Sequence, residues 1–130
     1  MLTQTATYAI RAMAYIASRK SEIPVLSQII AGEMHIPRNF LSKILHRLVQ
    51  EGLILSVRGT KGGFVLTRKA KEIKLREVVA PFMNLAGYKQ CFLGLHKCRN
   101  KDSCKVHKRW IPVVKGFEKL LGETTIDQVL

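Results

Sequence analysis

Residues 37–52 carry an apolar and a polar face at helical spacing and lead straight into a glycine-tipped apolar hairpin, a pairing that constrains the fold more than any other feature. Phe40, Leu41, Ile44, Leu45, Leu48 and Val49 fall on one half of a helical wheel. Asn39, Ser42, Lys43, His46, Arg47 and Gln50 fall on the other. Pro37 suits the first turn, where its missing N–H costs nothing, and Gly52 stands where a C-terminal cap prefers glycine. The spacing therefore predicts a helix over 37–51. Residues 53–57 and 64–67 then read as two strands joined through Arg58-Gly59-Thr60-Lys61-Gly62-Gly63.

What precedes this unit is helical too. Ala6, Ala9, Ile10, Met13, Ala14 and Ala17 recur on one face of a helix over 3–18, and small residues there permit close packing against another helix. A shorter helix is expected over 26–34, after Pro24. Helix, turn, amphipathic helix and β-hairpin in that order make a winged helix-turn-helix, so the fold class is mainly α with a β-hairpin wing. Beyond it a helix is expected over 75–84, bent at Pro81, then a polar loop over 86–105. Val106, Trp110, Val113, Val114, Phe117, Leu120 and Leu121 follow as an amphipathic stripe up to Gly122. Pro112 requires that helix either to begin only a turn earlier or to kink. Thr124, with Asp127 three residues on, suggests a cap for a last short helix. With no internal repeat, the chain divides into a DNA-binding region, 1–70, and a helical region, 71–130, that carries a cysteine-bearing loop at about 86–107.

Charge selects the partner. Twenty-two Lys and Arg against nine Asp and Glu leave a formal +13, a self-repulsion that a polyanion relieves. Nucleic acid is the leading candidate and an anionic membrane surface the second. Residues 35–69 hold seven Lys and Arg against the single Glu51. With the third helix in the major groove, Arg38, Asn39, Ser42 and Lys43 fall near base edges. Arg47 and Gln50, farther along, suit phosphates. At the wing, Arg58 and Lys61 stand among Gly59, Gly62 and Gly63, where bare backbone can approach a phosphate and a cation can enter the minor groove. Paired carboxylates, a phosphate loop and a convincing nucleophilic triad are missing from the pattern, so an enzyme is not expected. A basic protein-binding adaptor is the rival class; it predicts only a weak salt slope on DNA.

The longest apolar run, Ala12-Met13-Ala14-Tyr15-Ile16-Ala17, is far too short to span a bilayer, and the first residues carry no export signal. A reducing cytoplasm is expected, where three cysteines are better read as ligands or reactive thiols than as disulfides. Cys91, Cys98 and Cys104 are spaced C-x6-C-x5-C, with His107 three residues after Cys104 and His96 inside the loop. Three sulfurs and an imidazole complete a Cys3His zinc site or hold an iron–sulfur cluster, [2Fe–2S] or [4Fe–4S]. Zinc sites favour tighter cysteine knuckles, so the wide gaps suit the larger object. Seven basic residues from Lys89 to Arg109, against Asp102, would offset the negative charge of thiolates around a cluster.

The Tyr8-Ala9 helix, the helix-turn-helix, Ser56-Val57-Arg58-Gly59-x-x-Gly62-Gly63-Phe64-x-Leu66 and the three late cysteines together resemble the Rrf-two family of bacterial regulators over nearly the whole chain. The resemblance implies a homodimer that reads a palindromic double-stranded operator, with a C-terminal helix, here about 108–121, crossing its counterpart. It implies that Arg58 inserts in the minor groove and that Cys91, Cys98 and Cys104 hold an iron–sulfur cluster. His107 is similar to the fourth ligand of the cluster-biogenesis branch, while the cysteine spacing is closer to the nitric-oxide-sensing branch. Thr7 stands where the latter branch can place a ligating carboxylate, and Ser42 where the former has a glutamate. The implied function is a cluster-controlled transcription factor, most simply a repressor. Structural zinc, or no metal, is the alternative.

Overall fold

Thr3 opens the first helix: its side-chain oxygen accepts the Ala6 N–H at 3.0 Å, and α1 runs Gln4–Ser18. Four alanines, Ala6, Ala9, Ala12 and Ala14, are buried beside Met13, Tyr15 and Ile16. With so little side chain to clear, α1 serves as the axis against which the next three helices and the C-terminal turn pack. The computed structural model describes residues 2–19, 22–89, 91–93 and 104–130, and for 88 and 89 the backbone alone.

α2 (Ser27–Met34) ends at His35, in the left-handed region at φ 53°, and α3 (Arg38–Gln50) follows after two further residues. α3 buries Leu41, Ile44, Leu45 and Leu48, as the wheel requires. Phe40, expected on the same face, is 49% exposed, because it sits at the margin of the stripe, where it meets Tyr8 of α1. The helix stops in paired reverse hydrogen bonds, Gly52 N–H to the Val49 carbonyl at 3.0 Å and Leu53 N–H to that of Leu48 at 3.1 Å.

The hairpin is antiparallel, β1 (Ile54–Val57) against β2 (Gly63–Leu66), with Ile54 opposite Leu66 and Val57 opposite Gly63. A bridge to Val25, with N–H to carbonyl bonds of 3.0 and 2.9 Å to and from Phe64, sews it onto the segment before α2. Gly63 permits that approach: a Cβ there would stand 2.5 Å from the Val25 backbone, and its φ is +145°. The hairpin is thus held to the helices at its base.

Past β2 a 3-10 turn at Ala70–Glu72 leads to α4 (Leu75–Val79). The expected helix over 75–84 is shorter than its pattern. Pro81 cannot donate to the Glu77 carbonyl, and the chain tightens into a 3-10 turn at Ala80–Phe82, followed by another at Leu85–Lys89. α5 (Lys105–Glu123) crosses Pro112 without ending and runs one residue past Gly122. Pro112 costs the Lys108 carbonyl its usual partner, a loss water can make good because both residues are exposed. The final turn, Ile126–Gln128, is capped one residue later than expected: Thr125, not Thr124, donates its N–H to Gln128 Oε1 at 2.9 Å and its hydroxyl to Asp127. One cluster of buried side chains joins α1, α2, α3, Leu53 and Ile54 to Ile73, α4, Leu121 and Ile126. Among the described residues no helix is long and apolar enough to cross a membrane.

Candidate nucleic-acid interface

Burying Leu41, Ile44, Leu45 and Leu48 leaves the opposite face of α3 to solvent. Arg38, Asn39, Ser42, Lys43, His46, Arg47 and Gln50 are all exposed there. Pro37, the N-cap, offers no side-chain acceptor to the first-turn N–H groups, so that end of the helix stays open to an anion. Arg47 differs from the others: it pairs with Glu51 one turn on, at 3.0 Å, and both side chains are well exposed. A phosphate would compete with an exposed i,i+4 pair that contributes little.

At the hairpin tip, Arg58, Gly59, Thr60 and Lys61 are exposed. Gly62 is not: it is buried in the turn, donating its N–H to the Gly59 carbonyl at 3.0 Å. A Cβ on Gly62 would come 2.3 Å from the Val57 carbonyl oxygen. The structure therefore gives Gly62 a role in shaping the turn, with Arg58 just before it and Lys61 within it.

In the cysteine-bearing region, Cys104 caps α5. Its Sγ accepts the His107 N–H at 3.4 Å, so Cys104 and His107 share the helix's first turn, both half-buried. Cys91 is a half-buried free thiol. The next residue, Phe92, packs its ring on Trp110 of α5 with centroids 5.2 Å apart, which brings the Cys91 segment to the same end of the helix. Cys98 and His96 lie outside the described residues. Among the described residues no three His, Cys, Asp or Glu side chains form a metal-sized group. The donors that are described, two thiols and an imidazole, are of the soft and borderline kind that suits iron–sulfur or zinc chemistry.

A family model described as the iron-dependent transcriptional regulator Rrf2 matches residues 2–130. The chain belongs to the Rrf2 family. It is 30% identical to an HTH-type transcriptional regulator of Aquifex aeolicus over all of this chain and 91% of that protein. It is also 30% identical to the HTH-type transcriptional regulator IscR of Pectobacterium atrosepticum, over 99% of this chain and 78% of that one. Among solved structures, T. potens IscR superposes with a TM-score of 0.74 at 25% identity, over 97% of this chain and 82% of that chain. CymR, the global cysteine regulator of B. subtilis, superposes at 0.75 with 20% identity, over 98% and 93%, a likeness of fold. The winged-helix reading and the absence of an enzymatic role follow from this membership: the chain is an IscR-like transcriptional regulator.

Two features of this Rrf2 chain escaped the sequence patterning. Arg68, just past β2, reaches Glu77 on α4 at 2.6 Å and the Glu72 carbonyl at 3.4 Å, while the other Glu77 oxygen accepts the Lys74 N–H at 2.9 Å. Partial burial works to raise the Glu77 carboxyl, but the Lys74 amide and the Arg68 guanidinium outweigh it and hold the group below its ordinary value. This clasp ties the base of the wing to the element that leads toward the cysteines. The second feature is aromatic. Tyr8 of α1 meets Phe40 of α3 with centroids 6.4 Å apart, receives a hydrogen bond from the Gln4 amide at 3.0 Å, and carries the Arg11 guanidinium over its ring at 5.8 Å. Neither was legible beforehand: the clasp needs the turn after β2 to fold back on itself, and the aromatic pair joins helices far apart in sequence.

Proposed function

We propose that this Rrf2 regulator is a homodimeric, operator-reading repressor of the cytoplasm whose DNA affinity is set by an iron–sulfur cluster on Cys91, Cys98, Cys104 and His107. In this reading residues 1–70 read a palindromic duplex and residues 71–130 pair the subunits and sense. Arg38, Asn39, Ser42 and Lys43 address base edges, Arg47 a phosphate, and Arg58, with Lys61 and the Gly59–Gly62 turn, the minor groove. The observation that carries the reading is the position of Cys104. It caps the helix whose outer stripe, Val106, Trp110, Val113, Phe117 and Leu120, alternates spacings of four and three, the seam of a helix pair. Val106, Val113 and Leu120 are 40, 49 and 52% exposed, while Val114 and Leu121 on the adjoining face are already buried in the subunit. A second copy crossing at this stripe would cover them.

A cluster, when bound, supplies redox and ligand-exchange chemistry at the first turn of that helix. The chain's own part is mechanical. Cys104 and His107 fix the helix start, Phe92 on Trp110 fixes the Cys91 segment beside it, and the helix direction sets the separation of the two recognition helices in the dimer. Half-site binding is sensitive to that separation.

Anaerobically reconstituted protein is expected to be coloured, with iron and acid-labile sulfide, and to bind a selected duplex with a steep salt slope and clear preference over random DNA. Colourless protein that takes up zinc instead would replace sensing by a structural metal. A shallow salt slope without preference would favour a protein-binding adaptor.

A further inference from the structure

Phe40 is the large apolar side chain that the recognition helix leaves in water. It occupies the first turn of α3, immediately after Asn39, and is 49% exposed although the sequence pattern counts it with the core. At about 100° per residue it lies about 60° around the helix from Lys43 and about 20° from Arg47. Its neighbours on the exposed side are therefore the cations Lys43 and Arg47. A partner that covers this ring must also accept that charge, which favours a polyanion over an apolar protein surface.

The ring is held from behind. Tyr8 packs against it at an interplanar angle of 54°, and Tyr8 is itself fixed by Gln4 and Arg11. An aromatic side chain already set in one orientation loses little freedom on making a contact. N-terminal residues of a recognition helix are those that reach base edges, and the apolar group that base pairs present in the major groove is the C5 methyl of thymine.

We propose that Phe40 is a specificity-determining residue that reads the C5 methyl of one thymine in each half-site, beside the base addressed by Asn39, with Tyr8 as its positioning residue. The assignment rests on α3 entering the major groove as proposed above.

The test begins with an operator selected by the full-length protein from random duplexes. Each thymine of one half-site is then replaced in turn by deoxyuridine, which keeps the pairing and removes only the methyl, and Kd is measured for wild type, Phe40→Ala and Phe40→Leu. Wild type is expected to lose about four-fold at a single thymine, the change implied by burying one methyl group. Phe40→Ala should bind the unmodified operator more weakly yet be indifferent to that methyl, and Phe40→Leu should retain part of the sensitivity. Thermal melting of both variants checks that they fold, and the leucine variant carries the test if the alanine variant does not. Wild-type indifference to every methyl, or the same loss in wild type and both variants, overturns the Phe40 assignment while leaving operator binding intact. Failure to select any sequence overturns operator reading itself.

Discussion

The winged unit and the cysteine-bearing C-terminal region are built on different terms. The winged unit is complete within one chain: α3 has its buried face and its exposed cationic face, and the hairpin is fastened at Val25. The C-terminal region leaves more of itself in solvent. α5 keeps three apolar residues of one stripe half in solvent, and its capping cysteine stands with a histidine in the first turn. A region that satisfies itself can hold a fixed reading surface. In the proposed reading a second copy and a cluster complete the other, which can then change state when either changes.

The contrast can be broken most severely at Cys104. Cys104→Ala should abolish the visible absorbance and the iron content of reconstituted protein while leaving the helical circular dichroism nearly intact. Retention of a full cluster spectrum would remove Cys104 from the ligand set. Next comes the fastening of the wing. Gly63→Ala pushes a Cβ into the Val25 backbone at a φ of +145°, so a loss of about 3 kcal/mol is expected in denaturant unfolding. A neutral result would mean that the hairpin is not pinned there.

A smaller effect is expected at the wing tip. Arg58→Ala should weaken operator binding roughly ten-fold, more on A/T-rich flanks, without changing the melting temperature. Unchanged affinity would take the wing out of the interface. The smallest is Glu77→Gln, at most about 0.5 kcal/mol, because the pair with Arg68 is substantially exposed and screened. The folded-state carboxyl is held below 4.5, so its stabilisation is present above that pH and is lost as pH falls through the lower folded value. Wild type and Glu77→Gln should therefore differ at neutral pH and converge only once the pH has fallen below the lowered folded-state value; a difference independent of pH would assign the effect to packing.

Periodicity was enough to find what one element decides alone. The buried set Leu41, Ile44, Leu45 and Leu48, the glycine-ended recognition helix and the two wing strands all stand where patterning puts them. The errors occur where distant segments decide. Phe40 belongs to the margin of the stripe, where it meets Tyr8 of α1 and stays half exposed. Pro81 converts the end of a predicted helix into a tight turn, whereas Pro112 is absorbed within one, and a local pattern does not distinguish the two. The last cap shifts to Thr125 because the backbone around Lys74 pairs with it across the subunit. For the proposed cluster site, spacing offered the candidate donors. It could not place the Cys91 segment, whose position depends on Phe92 finding Trp110.

The most direct measurement is the operator Kd of one anaerobic preparation, taken with the cluster bound and again after its removal, at a single salt concentration. The account predicts at least about a five-fold difference on the operator, in the range typical of coupled sites, with little change on random duplex. Equal operator affinities for the two forms would contradict it.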